Sequence, residues 1–244
     1  MSQRGFVIPL RPQHRRLLHH HRRRSSRHHQ HHHCLILIGE SARKRQADAL
    51  YNPPLTTTQI VFDRRLDGWD ATCPTCAVDT TLIRIMKPEV NDFHFYSAKH
   101  GYHGVKYELA VLLVPPHHIV WCGPGYRGSV HDMAIASFGF IPALLPHERV
   151  LADLGYHGEH FLIPLGKRHA ALGTPEGKEY NYYQMAVRCC VERVNALVKT
   201  WNAAGAIWRG SIHSLEQAIQ AIVVLVELRN QWNEQDQQSQ QQQE

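Results

Sequence analysis

The sequence has few cysteines, no long apolar run and almost no acidic residues near its N-terminus. Six cysteines, unevenly spaced over 244 residues, do not resemble the dense framework of a small secreted domain. No apolar run approaches the roughly 20 residues needed to cross a bilayer. The opening MSQRGFVIPLRPQHRR does not resemble a secretory signal. These absences exclude a disulfide scaffold and predict no association with a membrane. We expect a reducing intracellular compartment.

The positive charge of the chain is confined to its N-terminal part. Residues 1–50 hold eleven Lys or Arg against two Asp or Glu, a net +9, and the remaining residues carry −3, which gives +6 overall. The tract HRRLLHHHRRRSSRHHQHHH has no helical or strand period, so residues 1–50 are predicted to be a disordered basic tail. Such a tail could bind nucleic acid or serve as a nuclear address. Residues 51–75 are predicted to be an irregular linker, and the glutamine-rich residues 233–244 a second disordered tail.

Strand-like and helix-like segments alternate between the tails. The predicted strands are residues 76–85, 106–114, 118–123, 148–156, which include the exit from the fourth strand, and 161–166. The predicted helices are residues 131–139, 181–202 and 214–232. A double proline between the second and third strands favours a hairpin. The pattern predicts an α/β protein with a mixed sheet whose first three strands form a meander.

Two aspartates adjoin apolar strand segments, where an ionised carboxylate is costly to bury. Asp79 lies inside the first predicted strand, and Asp153 directly follows the fourth. If these strands are neighbours, the two carboxylates stand side by side at one edge of the sheet. Two anions so close need neutralisation, for which a divalent metal is the usual solution. The pattern therefore predicts a metal site that includes Asp79 and Asp153.

The long helix over residues 181–202 offers a third acid. An apolar stripe at helical spacing is expected to pack on the sheet; it contains Val187, Val191, Val194, Val198 and Trp201. A polar stripe follows one residue later, rotated by about 100°; it contains Arg188, Glu192, Asn195 and Lys199. We therefore expect Glu192 at the border of the buried face, looking toward the strand ends.

Four segments in this order resemble a DDE-type transposase of the PIF/Harbinger kind: AVDTTLIRI, GPGYRGSVHDMAIA, VLADLGYHG and VRCCVERVNALVK. Arg188, Glu192 and Lys199 are similar to the arginine–glutamate–lysine signature of related bacterial insertion-sequence transposases. The resemblance covers residues 76–212. It implies a ribonuclease-H-like core over residues 76–232, with helices flanking the sheet. It also implies two Mg²⁺ or Mn²⁺ ions, and endonuclease and strand-transfer chemistry on DNA.

Carried over by position, the resemblance makes Asp79 the first acid and Glu192 the last. The middle acid is Asp153 or Asp132. The fold favours Asp153, because its middle acid follows the fourth strand. Asp132 begins a helix, where capping and the helix dipole favour a carboxylate without a catalytic role. Asp132 is kept as an alternative metal ligand.

DNA contacts are expected from Arg188 and Lys199 on the long helix, and from Lys99 and Lys106 in the segment FHFYSAKHGYHGVKYE. A solvated helix face and an ordinary loop are the alternatives for these two groups. The resemblance implies action in the nucleus and a separate Myb-like DNA-binding protein, and a homo-oligomer is compatible with it.

Two other functions stay open. The N-terminal part shows no helix-turn-helix pattern, so the chain could be an inactive transposase derivative that serves as an interaction module. Alternatively, it could be a metal-binding protein that uses the histidine tract. Cys73 and Cys76 form a CxxC pair, but a closed zinc site needs two further ligands.

Overall fold

A computed structural model describes residues 73–241, together with the backbone of residues 34–38 and 58–62. The histidine and arginine tract over residues 14–33 and most of the predicted linker lie outside the described residues. Over the part of the chain that the structure describes, no helix is long and apolar enough to cross a membrane.

Nine strands in this part of the chain form a mixed sheet. They are β1 (Cys34–Ile38), β2 (Thr58–Phe62), β3 (Pro74–Arg84), β4 (Tyr96–Ser97), β5 (Tyr102–Leu112), β6 (Ile119–Cys122), β7 (Tyr126–Arg127), β8 (Arg149–Leu151) and β9 (Phe161–Leu162). The order across the sheet is β1-β2-β6-β5-β3-β8-β9, while β4 and β7 pair with β5. Strands β3, β5 and β6 are antiparallel neighbours, and β8 and β9 run parallel to β3.

Helices cover the two faces of the sheet. They are α1 (Asp92–Phe95), α2 (Asp132–Phe138), α3 (Phe140–Ala143), α4 (Pro175–Lys199), α5 (Asn202–Gly205) and α6 (Ile212–Gln241). One face of β3 packs into a core with α4 and α6, to which Ala77 and Ile83 belong. The other face packs against α2 and α3 through Cys76 and Val78. Because both faces are covered, the central strands are apolar on both sides.

The long helix α4 begins earlier than predicted, at Pro175 instead of residue 181. The side chain of Thr174 caps it by accepting a hydrogen bond from the amide of Gly177 at 3.1 Å. Proline in the first turn costs no helical hydrogen bond, since the first amides of a helix have no partner within it. A capping threonine followed by proline thus fixes the start of the helix that carries Glu192.

Helix α6 is held against the sheet by a buried carboxylate. Glu227 accepts a hydrogen bond from the amide of Ile119 at 3.0 Å and lies 2.8 Å from the ring nitrogen Nδ1 of His118. The helix then continues to Gln241. The prediction of a disordered tail from residue 233 is therefore wrong as far as Gln241, where polar residues extend an existing helix.

The predicted mixed α/β architecture and the three-strand meander are confirmed. Strand β1 falls within the predicted disordered tail and β2 within the predicted linker, so the sheet is wider than expected. Both strands are five residues long. The two strands are identified by backbone pairing, β1 with β2 and β2 with β6, which the sequence pattern alone did not predict.

Candidate active site

A cleft of about 440 Å³ runs along β3, beyond the short segment that pairs with β8. Four carboxylates line it: Asp79, Asp132, Asp153 and Glu192. They are the four acids that the sequence singles out. The predicted neighbour relation between the first and fourth core strands is correct, since Ala77 of β3 pairs with Leu151 of β8 in parallel register. The sheet topology therefore carries residues distant in sequence to one opening.

Asp79 lies on the face of β3 that α4 covers. Its Oδ2 accepts a hydrogen bond from Nδ2 of Asn195 at 3.2 Å. Burial raises the pKa of Asp79 to about 6, the positive charge of Arg188 opposes this, and the charges of Asp132 and Asp153 add to it. A bound cation would oppose both of the effects that raise the pKa, because it favours the ionised carboxylate. The surroundings of Asp79 thus favour an additional positive charge beside its carboxylate.

Asp153 follows β8 at the point where the strand leaves the sheet. Its Oδ1 accepts a hydrogen bond from the amide of Leu154 at 2.7 Å. The side chain is partly buried, and its charge contributes to the raised pKa of Asp79. Asp153 is therefore near enough to Asp79 to raise its pKa, although less than Asp132 does.

Asp132 is already neutralised by neighbouring residues. Its Oδ1 accepts hydrogen bonds from Oγ1 of Thr80 at 2.7 Å and from Nζ of Lys106 at 2.8 Å. Lys106 also donates to the carbonyl of Val130 at 2.8 Å. Burial alone would raise the pKa of Asp132, but the hydrogen bond and charge of Lys106 bring that pKa below its ordinary value. In this structure Asp132 fixes the start of α2 to β3.

The polar stripe of α4 lies where the sequence predicts. Arg188, Glu192, Asn195 and Lys199 all line the cleft. In the apolar stripe, Val191, Val194 and Val198 are buried in the core, whereas Val187 and Trp201 are exposed. The expected stripe is thus correct for its three central members: Val187, halfway along α4, is exposed, and Trp201 lies beyond the end of the helix at Lys199.

Glu192 is paired with an arginine of its own helix. Its side chain is 52% exposed and forms an ion pair with Arg188 at 3.0 Å, one helical turn earlier. Within the described residues, no three His, Cys, Asp or Glu side chains lie close enough together to hold one ion, Cys73 and Cys76 included. Convergence of the acids on one cleft is therefore observed, while a preformed metal cage is not.

Basic residues surround one end of the same cleft. Lys99, His100 and Lys199 contribute to its lining. Partial burial lowers the pKa of His100, and so do the positive charges of Lys99, Lys199 and Lys106. Lys106 differs from the others, because its amine is held by Asp132 and Val130 and its side chain is only 12% exposed. The predicted contact between Lys106 and DNA conflicts with this arrangement, because the amine of Lys106 is already paired with Asp132.

Sequence reasoning misses three features of the site. Asn195 appears in the polar stripe, but the stripe does not reveal its bond to Asp79. The hydroxyl of Thr80 ties Asp132 to β3, a contact that needs tertiary structure to see. Glu108 is fully buried behind the cleft, accepts a hydrogen bond from Tyr156 at 3.2 Å, and has a pKa raised to about 8 by burial. A lone glutamate within the apolar strand KYELAVLLV was the available signal for the last.

Comparison with known proteins identifies the family. A family model described as DDE superfamily endonuclease matches residues 78–227, which is more than half of the chain and includes all four carboxylates of the cleft. The chain belongs to the DDE superfamily endonuclease family. A curated relative, the probable transposase for insertion sequence element IS702 of Microchaete diplosiphon, is 32% identical over 132 residues.

That alignment covers 51% of this chain and 46% of the relative, so the chain spans about half the length of the curated relative it matches. No solved structure matches the chain significantly. Membership in the family thus rests on the matched sequence.

Proposed function

We propose that this protein is a metal-dependent DNA endonuclease of the transposase type. The observation that carries the proposal is the single cleft lined by Asp79, Asp153 and Glu192 within the segment that matches the endonuclease family. The strand order β6-β5-β3-β8-β9, antiparallel across β3 and parallel beyond it, supports a ribonuclease-H-like core. In such a core the first acid lies within the central strand and the second follows its parallel neighbour.

The donor set of the cleft fits two Mg²⁺ or Mn²⁺ ions. All three proposed ligands are carboxylates, which are the hard oxygen ligands these ions prefer. Asp79 and Asp153 repel each other, so positive charge between them is favourable. Glu192, which is 52% exposed, would join after a change of side-chain rotamer that releases it from Arg188, and Arg188 would keep the charge of Asp79 nearby. When bound, the ions supply activation of a water molecule and stabilisation of charge on the phosphate.

The middle acid in this proposal is Asp153. Asp132 is engaged by Lys106 and Thr80, and breaking that ion pair would leave a largely buried ammonium without its partner. Among the residues that the structure describes, no comparable cation pairs with Asp153. Its strongest described contact is the adjacent backbone amide of Leu154.

Basic residues at the mouth of the cleft suit a DNA backbone. Lys99 and Lys199 would contact phosphates beside the acids, and Arg188 would become free for the same purpose once Glu192 binds metal. A 3′-hydroxyl produced by cleavage could then replace water as the nucleophile, which would join the DNA to a target. The PIF/Harbinger subtype, a nuclear location, a Myb-like partner and a homo-oligomer remain predictions from the sequence resemblance.

A nicking assay tests the proposal. Purified full-length protein is incubated with supercoiled plasmid and Mn²⁺, and the open-circular product is quantified over time. We expect the wild type to nick DNA, Asp153→Asn to lose this activity, and EDTA to abolish it. Asp236→Asn is the matched control, because Asp236 is exposed on α6 and does not line the cleft.

Two results would contradict the proposal. Nicking that survives Asp153→Asn at the wild-type rate would exclude the assigned site. A wild type that is inert while its circular dichroism shows an intact fold would favour the alternative, an inactive transposase derivative that acts as an interaction module.

A further inference from the structure

Asn195 makes the direct side-chain contact with the buried carboxylate of the cleft. It lies one helical turn beyond Glu192 on α4, is 8% exposed, and donates from Nδ2 to Oδ2 of Asp79 at 3.2 Å. An ionised carboxylate only accepts hydrogen bonds, so the amide must turn its NH₂ group toward Asp79. That bond holds one oxygen of Asp79, and the backbone amide of Thr80 also donates to the carboxyl group.

The remaining half of the Asn195 amide has no partner. Its Oδ1 is buried and receives no hydrogen bond from any described residue. Seven buried side-chain polar atoms in this part of the chain lack a partner, and three belong to residues that line the cleft: Asn195, Thr81 and Arg188. Thr81 is two residues after Asp79 on the same face of β3. The lining around Asp79 therefore contains buried polar atoms without hydrogen-bond partners among the described residues.

A residue selected for stability alone would not have this pattern. A buried acceptor without a donor is unfavourable, and a leucine of similar size would fill the position without that cost. The favourable contact of Asn195 is with a carboxylate whose own burial is also unfavourable. The position is explained by what it does for Asp79.

We propose that Asn195 is a positioning residue that fixes the Asp79 carboxylate for a divalent cation in the cleft. The inference rests on the proposed function, because it assumes that Asp79 binds metal. Outer residues that hydrogen-bond a ligating carboxylate fix its orientation, and their removal typically weakens metal affinity 10- to 100-fold. Asn195 occupies that place for Asp79.

The test measures metal binding directly. Mn²⁺ is titrated into full-length protein by calorimetry, without DNA, for the wild type, Asn195→Leu and the control Asn233→Leu. Asn233 is exposed on α6, outside the cleft. We expect Asn195→Leu to weaken Mn²⁺ binding about 10- to 100-fold and the control to leave it unchanged.

Thermal unfolding in EDTA separates positioning from simple packing. If Asn195 positions Asp79, Asn195→Leu weakens Mn²⁺ binding while still unfolding cooperatively in EDTA, since removal of an unpaired acceptor and loss of the donor to Asp79 have opposite effects on stability. A purely structural role predicts a lower midpoint and unchanged Mn²⁺ affinity. Should Asn195→Leu fail to fold, Asn195→Ser, which keeps the helix face polar but cannot reach Asp79, must show the same loss of Mn²⁺ affinity.

The outcomes distinguish this inference from the function on which it rests. Wild-type protein that binds Mn²⁺ and nicks DNA, with Asn195→Leu and Asn195→Ser binding Mn²⁺ equally well, overturns the role of Asn195 alone. Wild-type protein that binds no Mn²⁺ overturns both proposals.

Discussion

Asp79 and Asp132 line the same cleft. Asp79 lies in β3 and Asp132 accepts a hydrogen bond from the next residue of that strand, Thr80, yet the two carboxylates differ in their charged neighbours. Asp132 has a lysine and a threonine on one oxygen, and its pKa lies below the ordinary value. Asp79 has a neutral amide as its hydrogen-bond partner, and burial raises its pKa to about 6. Asp132 is paired directly with a cation, whereas Asp79 is influenced by the charge of Arg188 without a direct ion pair among the described residues.

This difference separates a structural carboxylate from one that awaits a ligand. A protein that needed Asp79 only for folding would place a cation in direct contact with it, as it does for Asp132. Acidic residues in a cleft whose pKa values are shifted by burial and by neighbouring charges are candidates for functional residues. The same reasoning favours Asp153 over Asp132 as the middle acid of the site.

The largest expected difference is in catalysis. Asp79→Asn should lower the Mn²⁺-dependent nicking rate at least about a thousandfold, because it removes a charge that metal chemistry requires. Asp132→Asn should lower the rate less than about tenfold once the folded fraction is equalised. Initial rates on supercoiled plasmid at saturating Mn²⁺ measure both. Equal losses of rate in the two variants would contradict a catalytic role for Asp79 and a structural role for Asp132.

Glu108 sharpens the comparison, since it is buried like Asp79 but lies behind the cleft. Its pKa is raised from 4.5 to about 8, so the folded state binds its proton more tightly than the unfolded state. The free energy of unfolding should therefore fall as pH rises from about 4.5 to about 8. Glu108→Gln should remove this decline, exceeding the wild type by about 2–4 kcal/mol above pH 8 and matching it near pH 4.

Urea unfolding across that pH range, in EDTA, is the measurement. The Gln side chain still accepts the hydrogen bond from Tyr156, so the variant changes charge more than packing. A wild type and a variant with parallel pH profiles would show that Glu108 is not protonated in the folded protein.

Lys106→Met should destabilise the protein by about 1–3 kcal/mol, because it leaves the partly buried Asp132 without its cation. Lys87→Met is the control. The Lys87–Asp92 pair has the same kind of partners at 3.1 Å, but Lys87 is 68% exposed, so we expect a change within about 0.5 kcal/mol. Chemical denaturation at pH 7 compares them. A Lys106 variant as stable as the Lys87 variant would refute the structural role of Asp132.

Lys99→Ala should have the smallest effect. Lys99 is exposed at the mouth of the cleft, so its loss should weaken DNA binding a few-fold and reduce the slope of log affinity against log salt by about one. Lys106→Met should leave that slope unchanged, since its amine is already paired. Fluorescence anisotropy at several salt concentrations, in EDTA, measures the slopes. The reverse result would assign Lys106 to DNA and Lys99 to solvent.

Much of the core could be predicted from the sequence, because its strands and helices have strong periodic patterns. The alternation of strands and helices from residue 76 onward, the meander, and the polar stripe of α4 all follow from apolar spacing. The prediction that Asp79 and Asp153 line one site needed one assumption about topology, namely that the first and fourth core strands are neighbours. The pairing of β3 with β8 confirms this assumption.

Other features depend on contacts that a linear pattern does not encode. The role of Lys106 depends on where α2 begins relative to β5, and a lysine next to apolar residues gives no sign of its partner. The bond from Asn195 to Asp79 spans 116 positions in sequence. The pairing of Glu192 with Arg188 follows from helical spacing, yet the spacing cannot decide whether Glu192 prefers that arginine or the other acids.

The most direct test is a crystal structure of the protein with Mn²⁺, in which anomalous scattering locates the ions. The account predicts Mn²⁺ between the carboxylates of Asp79 and Asp153, with Glu192 turned from Arg188 toward the metal and Asp132 still bound to Lys106. Mn²⁺ held by Asp132 with Lys106 displaced, or a cleft that binds no Mn²⁺ at concentrations that support nicking, would contradict it.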